Sequence, residues 1–199
     1  MSTGPSPTLD RRAVVRALLE DRGELLVVTG LGSPTWDAAA AGDHSLNFYL
    51  WGAMGSAVTV ALGLALARPD RRVLAITGDG EMLMGLGSLA TIGVQRPANL
   101  AVAVLDNERY GETGMQPTHT AHGVDLCAIA AGAGFRAVQR VCKAAELPGL
   151  RSLVHTANGP SFMQIKIAAA KIPMVLPPRD GAFLRDRFRA AVLGERAGR

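Results

Sequence analysis

The sequence predicts an α/β fold in which a doubly wound, mostly parallel sheet is flanked by helices. Two observations predict it: short runs that are almost wholly apolar, and helical segments that alternate with them. Such runs are typical of strands buried on both faces of a parallel sheet, and the alternation favours crossover helices. With 199 residues, we expect a single domain with its own core and flexible ends at 1–8 and 194–199.

The strands and helices are expected in a regular order. Residues 9–20 predict the first helix, because apolar residues recur at helical spacing and Asp10 stands near the start. Apolar runs predict strands at 24–29, 72–77, 99–105, 136–141 and 161–167. Further helices are expected at 54–67, 82–95, 124–133 and 179–193, with one more between the last two strands. An aromatic patch covers 46–51, and a polar loop is expected from 106 to about 123.

Composition and charge argue against several classes of partner. The net charge is +4 and no aromatic residues interleave with the scattered basic ones, so we expect no nucleic acid. A long apolar stretch such as 57–67 is still too short to span a bilayer, so we expect no membrane. Residues 1–12 are polar and lack the apolar centre of a signal peptide, which predicts a cytoplasmic location.

The first strand end that carries chemistry is Gly78-Asp79-Gly80-Glu81, because ligands of doubly wound sheets bind where strands end. Two glycines let the backbone approach an anion, and the helix that follows directs its free N–H groups at it. Asp79 would repel a phosphate unless a divalent cation lay between them. The motif therefore predicts a metal–phosphate site.

The second such strand end runs from Asp106 to Gly111. Its Asn107 offers a neutral oxygen, which is a ligand suited to Mg²⁺ or Ca²⁺. If the two strands are neighbours, Asp79 and Asn107 lie side by side. The two side chains, a backbone carbonyl, two diphosphate oxygens and a water would complete an octahedron around Mg²⁺.

The spacing of these motifs resembles the fingerprint of thiamine-diphosphate enzymes, since 26 residues (81–106) separate the Gly-Asp-Gly segment from Asn107. Gly52-Ala53-Met54-Gly55 is similar to the family's Gly-x-Met-Gly segment. The resemblance implies thiamine diphosphate and Mg²⁺ as cofactors, with Met54 between the cofactor rings and the Gly52 carbonyl on the aminopyrimidine. It implies metal ligation by Asp79, Asn107 and the Arg109 carbonyl. The cofactor contacts implied are Gly52, Met54, Gly78, Asp79, Gly80, Glu81, Asn107, Tyr110 and Gly111.

A closer resemblance, over about residues 45–135, is to the sulfopyruvate and phosphonopyruvate decarboxylase group, in particular the β subunits of its two-subunit members. The segments that carry it are 47–49, 89–92, 106–107, 110–119 and 124–126. It implies decarboxylation of a small 2-oxo acid substrate. The chain departs from the group at Trp51, Ala53, Glu112 and Met115, which leaves the substrate open.

Half of an active site is expected to be missing. In the thiamine-diphosphate family a Glu on a pyrimidine-binding domain of similar size activates the cofactor. A chain of 199 residues cannot hold both domains, so the resemblance implies a partner α subunit and a hetero-oligomer with more than one copy of each chain. In this chain Glu112, His119 and His122 are candidates to face the substrate, as is His44, although a solvated charge explains each of them as well.

Other readings stay open. A carboligase of the acetolactate-synthase type shares both glycine motifs. The β subunit of a 2-oxoacid:ferredoxin oxidoreductase would need cysteine clusters, which Cys127 and Cys142 cannot supply. A nucleotide-binding module is weakly supported, because Thr35 stands where GxGxxG needs its third glycine. A non-catalytic subunit that only binds the cofactor is the last alternative.

Overall fold

The computed structural model describes residues 8–194 and contains two sheets. The predicted flexible ends therefore lie outside the described residues, except for residues 8 and 194. The strands are β1 (Leu26–Thr29), β2 (Asn47–Tyr49), β3 (Val73–Gly78), β4 (Leu100–Asp106), β5 (Arg109–Tyr110), β6 (Gln116–Pro117), β7 (Ala137–Val141) and β8 (Ser161–Lys166). The helices are α1 (Arg11–Leu19), α2 (Ser33–Ala40), α3 (Ala57–Ala67), α4 (Asp79–Met84), α5 (Ser88–Gln95), α6 (Leu126–Gly132), α7 (Leu147–His155) and α8 (Gly181–Leu193).

The main sheet confirms the predicted doubly wound fold. Its six strands are all parallel and run in the order β2-β1-β3-β4-β8-β7. From β1 the chain moves outward to β2, and it then returns to place β3 on the other side of β1. This reversal puts a topological switch point between β1 and β3, where the carboxyl ends of the strands leave a crevice.

The core lies on both faces of this sheet. Leu74 and Ile76 of β3 point to one face, where they pack with residues of α1, α2 and α7. Val73 and Ala75 point to the other face, where α3, α5 and α6 cover them. Every residue of β4 is buried, as expected of a central parallel strand.

Aspartates begin three of the helices. The carboxylate of Asp10 accepts a hydrogen bond from the Ala13 N–H at 2.7 Å, which confirms its predicted place at the start of α1. Asp125 caps α6 in the same way, and Asp180 caps α8 with bonds from two N–H groups. In each case the side chain satisfies a donor that the first turn leaves free.

The structure corrects several predicted bounds. The helix expected at 82–95 is two helices, because Gly85 and Gly87 interrupt it. The helix expected at 54–67 begins at Ala57, which leaves Met54 in a turn. Helix α2 was missed, the aromatic patch is the edge strand β2, and the loop after β4 contains the β5–β6 hairpin.

No helix within residues 8–194 combines the length and the apolar character needed to cross a bilayer. The most uniformly apolar one, α3, has 11 residues, and about 20 are required.

Candidate functional site

A pocket of about 190 Å³ lies at the carboxyl edge of the sheet, at the switch point. It is lined by residues that follow β1, β3 and β4, and by Met54. Gly78 pairs with Leu105, so the ends of β3 and β4 leave the sheet side by side as expected. The predicted site residues that line the pocket are Met54, Gly78, Asp79, Gly80, Glu81, Asn107, Arg109, Tyr110, Gly111 and Glu112.

Asp79 is a buried carboxylate with one oxygen fixed in place. Its Oδ2 accepts hydrogen bonds from the hydroxyls of Thr118 and Thr120, the latter at 3.2 Å. Among the described side chains no donor bonds to Oδ1, which leaves that oxygen for a ligand. Burial, followed by the nearby charge of Asp106, raises the pKa of Asp79 to about 6.

The two threonines connect Asp79 to a wider polar network. The hydroxyl of Thr120 lies between two buried carboxylates, 2.8 Å from Asp106 Oδ1 and 3.2 Å from Asp79 Oδ2, so the two carboxylates share its single proton. The other oxygen of Asp106 accepts from Gln164 Nε2 and from Lys166 Nζ. Neither threonine was predicted from the sequence as a site residue.

Asn107 and Arg109 follow Asp106 in a tight turn. Asn107 Oδ1 accepts from the Arg109 N–H at 2.9 Å and keeps a second lone pair. Arg109 pairs with Pro117 in the β5–β6 hairpin. Because proline has no N–H, this partner cannot donate to the Arg109 carbonyl.

The site offers oxygen ligands for a hard divalent cation. Asp79 Oδ1, Asn107 Oδ1 and the Arg109 carbonyl are the kinds of ligand that Mg²⁺ takes. Within residues 8–194 no group of three or more His, Cys, Asp or Glu side chains could hold a metal alone. A cation here would therefore depend on neutral oxygens and on oxygens of its bound anion, which fits the predicted metal–phosphate arrangement.

Two glycines, Gly80 and Gly30, leave the space that the side chains of Tyr110 and Glu81 occupy. A Cβ on Gly80 would stand 2.6 Å from Tyr110 Cε1, so only glycine lets this ring pack against the first turn of α4. A Cβ on Gly30 would stand 1.6 Å from Glu81 Oε2. That carboxylate is buried, accepts from the Thr77 hydroxyl at 2.7 Å, and has its pKa raised by burial.

The segment after β1 also lines the pocket, through Leu31, Ser33 and Pro34. Gly32 precedes α2 with φ +75° and ψ −133°, a conformation that favours glycine, and no side chain caps the helix. The pocket also includes Arg11 of α1. The sequence analysis weighed this segment only as a weak nucleotide motif, because α2 was not recognised as a helix.

Four predicted candidates do not line the pocket. Gly52 is exposed in the loop before Met54. His119 and His122 are exposed on a 3-10 turn beside the threonines, so their catalytic role stays a prediction. His44 precedes β2 and therefore lies at the opposite, amino edge of the sheet, where its Nδ1 accepts from the Leu46 N–H at 3.1 Å.

Fold and pocket together define an α/β protein with a pocket at the switch point of a doubly wound sheet, which is where such folds bind their ligands. Residues 31–165 match the family described as thiamine pyrophosphate enzyme, C-terminal TPP binding domain. The chain belongs to this family, and the predicted fold and resemblance are confirmed.

Two of the proteins to which the chain is similar are decarboxylases by name. The chain is 38% identical over 191 residues to a phosphonopyruvate decarboxylase of Streptomyces viridochromogenes, covering 94% of this chain and 47% of that protein. It is 34% identical to sulfopyruvate decarboxylase subunit beta of Methanothermobacter thermautotrophicus, covering 90% of this chain and 92% of the relative. The chain thus spans about half the length of the first relative and nearly all of the second.

A solved structure shares the fold. Benzoylformate decarboxylase from Polynucleobacter necessarius superposes with a TM-score of 0.71 at 20% identity, over 83% of this chain and 34% of that one.

Proposed function

We propose that this chain is the diphosphate-binding β subunit of a two-subunit, thiamine-diphosphate-dependent decarboxylase of small 2-oxo acids, of the sulfopyruvate or phosphonopyruvate type. One observation carries the proposal: Asp79, Asn107 and Arg109, from two neighbouring strand ends, line one pocket together with Met54. Family membership supports the cofactor, and the relatives' names support the reaction and the substrate class.

In this proposal, different residues of the pocket bind the metal and the diphosphate of the cofactor. Asp79, Asn107 and the Arg109 carbonyl would hold Mg²⁺, and Mg²⁺ would hold the diphosphate. Ser33 and the uncapped end of α2 add N–H and hydroxyl donors for the same anion. When bound, thiamine diphosphate supplies the carbon nucleophile and the electron sink that decarboxylation of a 2-oxo acid requires.

The rest of the active site belongs to a partner in this proposal. Glu81 is committed to Thr77 at the base of the pocket, and Glu112 lies on an exposed loop. The relative that is about twice as long as this chain supports the idea that a second domain completes the site. We therefore infer a pyrimidine-binding α subunit that supplies the catalytic Glu, in a hetero-oligomer located in the cytoplasm.

The test compares the chain alone with the chain purified together with a candidate α subunit. Sulfopyruvate and phosphonopyruvate are added in turn, and CO₂ release is measured with and without thiamine diphosphate and Mg²⁺. We expect release only when both chains and both cofactors are present. Release by the chain alone would refute the split site, and cofactor binding without release from either substrate would contradict the proposed sulfopyruvate or phosphonopyruvate type. Analysis of the product separates a free aldehyde from the ligated product of a carboligase.

A further inference from the structure

Arg11 is a buried side chain that lines the pocket with most of its donors unused. It is 6% exposed, and its Nε lies 3.3 Å from Asp37 Oδ2. Within residues 8–194 neither terminal nitrogen has a hydrogen-bond partner, and the residue borders the pocket. A guanidinium carries five N–H donors, so this one has a forked face available for a ligand.

The charges around Arg11 leave a positive surplus. Asp37 of α2 is fully buried between Arg11 and Arg12, which makes two cations against one carboxylate. Arg12 is partly exposed and also donates to the Pro173 carbonyl, whereas Arg11 is enclosed beside the pocket. Because Arg12 shares the single carboxylate of Asp37, that carboxylate offsets the charge of buried Arg11 only in part, and an anion in the pocket would offset the rest.

The neighbouring helix end adds to this field. Helix α2 has eight residues, and its first turn has no side-chain cap, so its free N–H groups and positive dipole end face whatever binds beside Ser33. The buried arginine, the uncapped helix end and the exposed carboxylate of Glu112 beside Gly32 border the same pocket. The arginine and the helix end attract a tetrahedral oxyanion, and Glu112 opposes it from an exposed loop.

We propose that Arg11 is a cofactor-binding residue that donates to the terminal phosphate of the diphosphate, as a cation separate from the metal. This inference rests on the proposed function. A terminal phosphate carries about −1.5 to −2 charges at pH 7, and a Mg²⁺ shared with Asp79 offsets only part of the diphosphate charge. Guanidinium binds phosphate oxygens in forked pairs, which suits the unused face of Arg11.

The test measures pyrophosphate binding to the full chain by calorimetry at fixed Mg²⁺, so that neither the thiazolium nor a partner is required. Arg11→Gln removes the charge, and Asp37→Asn breaks the ion pair while leaving Arg11 charged. We expect Arg11→Gln to weaken pyrophosphate binding about 10- to 100-fold, the range of a charge-assisted hydrogen bond. Asp37→Asn should stay within a few-fold of the unaltered chain.

The double variant Arg11→Gln/Asp37→Asn guards against misfolding, because it leaves no unpaired buried carboxylate. It should unfold at a temperature close to that of the unaltered chain and still bind pyrophosphate weakly. Equal losses in Asp37→Asn and Arg11→Gln would mean that Arg11 only positions α2, and would overturn the proposal.

The phosphonate or sulfonate of a substrate has the same chemistry as the phosphate. If pyrophosphate affinity is unchanged in Arg11→Gln while the KM of the assembled enzyme for such a substrate rises, the arginine belongs to the substrate and the proposal is wrong. If the unaltered chain binds no pyrophosphate with Mg²⁺, the proposed cofactor site itself fails.

Discussion

The base and the mouth of the pocket are built differently. At the base, Asp79 and Glu81 are almost fully buried, and threonine hydroxyls fix a carboxylate oxygen of each. At the mouth, the large apolar side chain of Met54 lines the pocket and is 39% exposed. The base is held by hydrogen bonds within this chain, whereas the mouth presents a partly exposed apolar side chain.

The two parts of the pocket are therefore expected to contribute to the free energy of binding in different ways. The base keeps charged groups in position by hydrogen bonds before any ligand arrives, so its contribution to binding depends on this chain alone. The mouth would gain free energy only when another surface covers it, since exposed apolar side chains are stabilising once they leave water. The affinity for pyrophosphate therefore depends on the base, whereas the affinity for the whole cofactor depends on the base and the mouth.

The largest effect is expected at Asp79. Asp79→Asn keeps the shape of the side chain and removes its charge, so Mg²⁺-dependent binding of pyrophosphate should fall at least about 100-fold, because a carboxylate is the one charged ligand in the set. Calorimetry with and without Mg²⁺ measures it. Because burial raises the pKa of Asp79, its charge is unfavourable without a cation, and the variant should unfold at the same or a higher temperature. Unchanged pyrophosphate affinity would show that the base is not a metal site.

A smaller loss is expected at Thr118, which would act on a bound metal only through Asp79. Thr118→Val keeps the volume and removes the hydroxyl, so Asp79 Oδ2 loses one of its two donors. Changes in such supporting contacts typically cost 10- to 100-fold in metal affinity, and we expect a value within about that range. Thr118→Ser, which keeps the hydroxyl, should restore binding. Equal affinities in the valine and serine variants would assign Thr118 a packing role only.

The mouth is tested with two methionines of opposite burial. Met54→Ala should change the free energy of unfolding by less than about 0.5 kcal/mol, as for other surface substitutions. Met82→Ala should cost about 2–5 kcal/mol, because Met82 is 1% exposed in the core. With the partner present, Met54→Ala should weaken thiamine diphosphate about 10-fold and leave pyrophosphate binding unchanged. Weaker pyrophosphate binding in that variant would remove the distinction between base and mouth.

The sequence predicted the base better than its surroundings. Buried strands show as apolar runs, and their ends are fixed by glycine, so the places of Asp79 and Asn107 follow from a pattern. Helix α2 starts with Gly32 as its N-cap and Pro34 in its first turn, and its apolar residues show only weak helical periodicity. A short segment of this kind is typical of a loop. Thr118 and Thr120 lie on a 3-10 turn whose inward face depends on how the hairpin folds back over α4, which no local pattern encodes.

Arg11 illustrates a second limit. Arginine at the start of an amphipathic helix is typical of an exposed position, and its burial depends on Asp37, 26 residues further along the chain in a helix that was not predicted. Long-range ion pairs of this kind arise from tertiary packing, so the sequence could name neither partner.

The smallest effect is expected at Glu112, which stands between the two halves of the pocket. Its Oε1 would lie 3.1 Å from a Cβ on Gly32, so a carboxylate occupies the open end of α2 where an anion is expected. A like charge at about 4 Å costs about 1 kcal/mol in water. Glu112→Gln should therefore tighten pyrophosphate binding a few-fold, measured by the same calorimetry. If CO₂ release by the assembled enzyme falls at the same time, Glu112 acts on the substrate and not on the anion. Weaker pyrophosphate binding would instead mean that the loop carboxylate supports the site, because the repulsion expected from its position would then be absent.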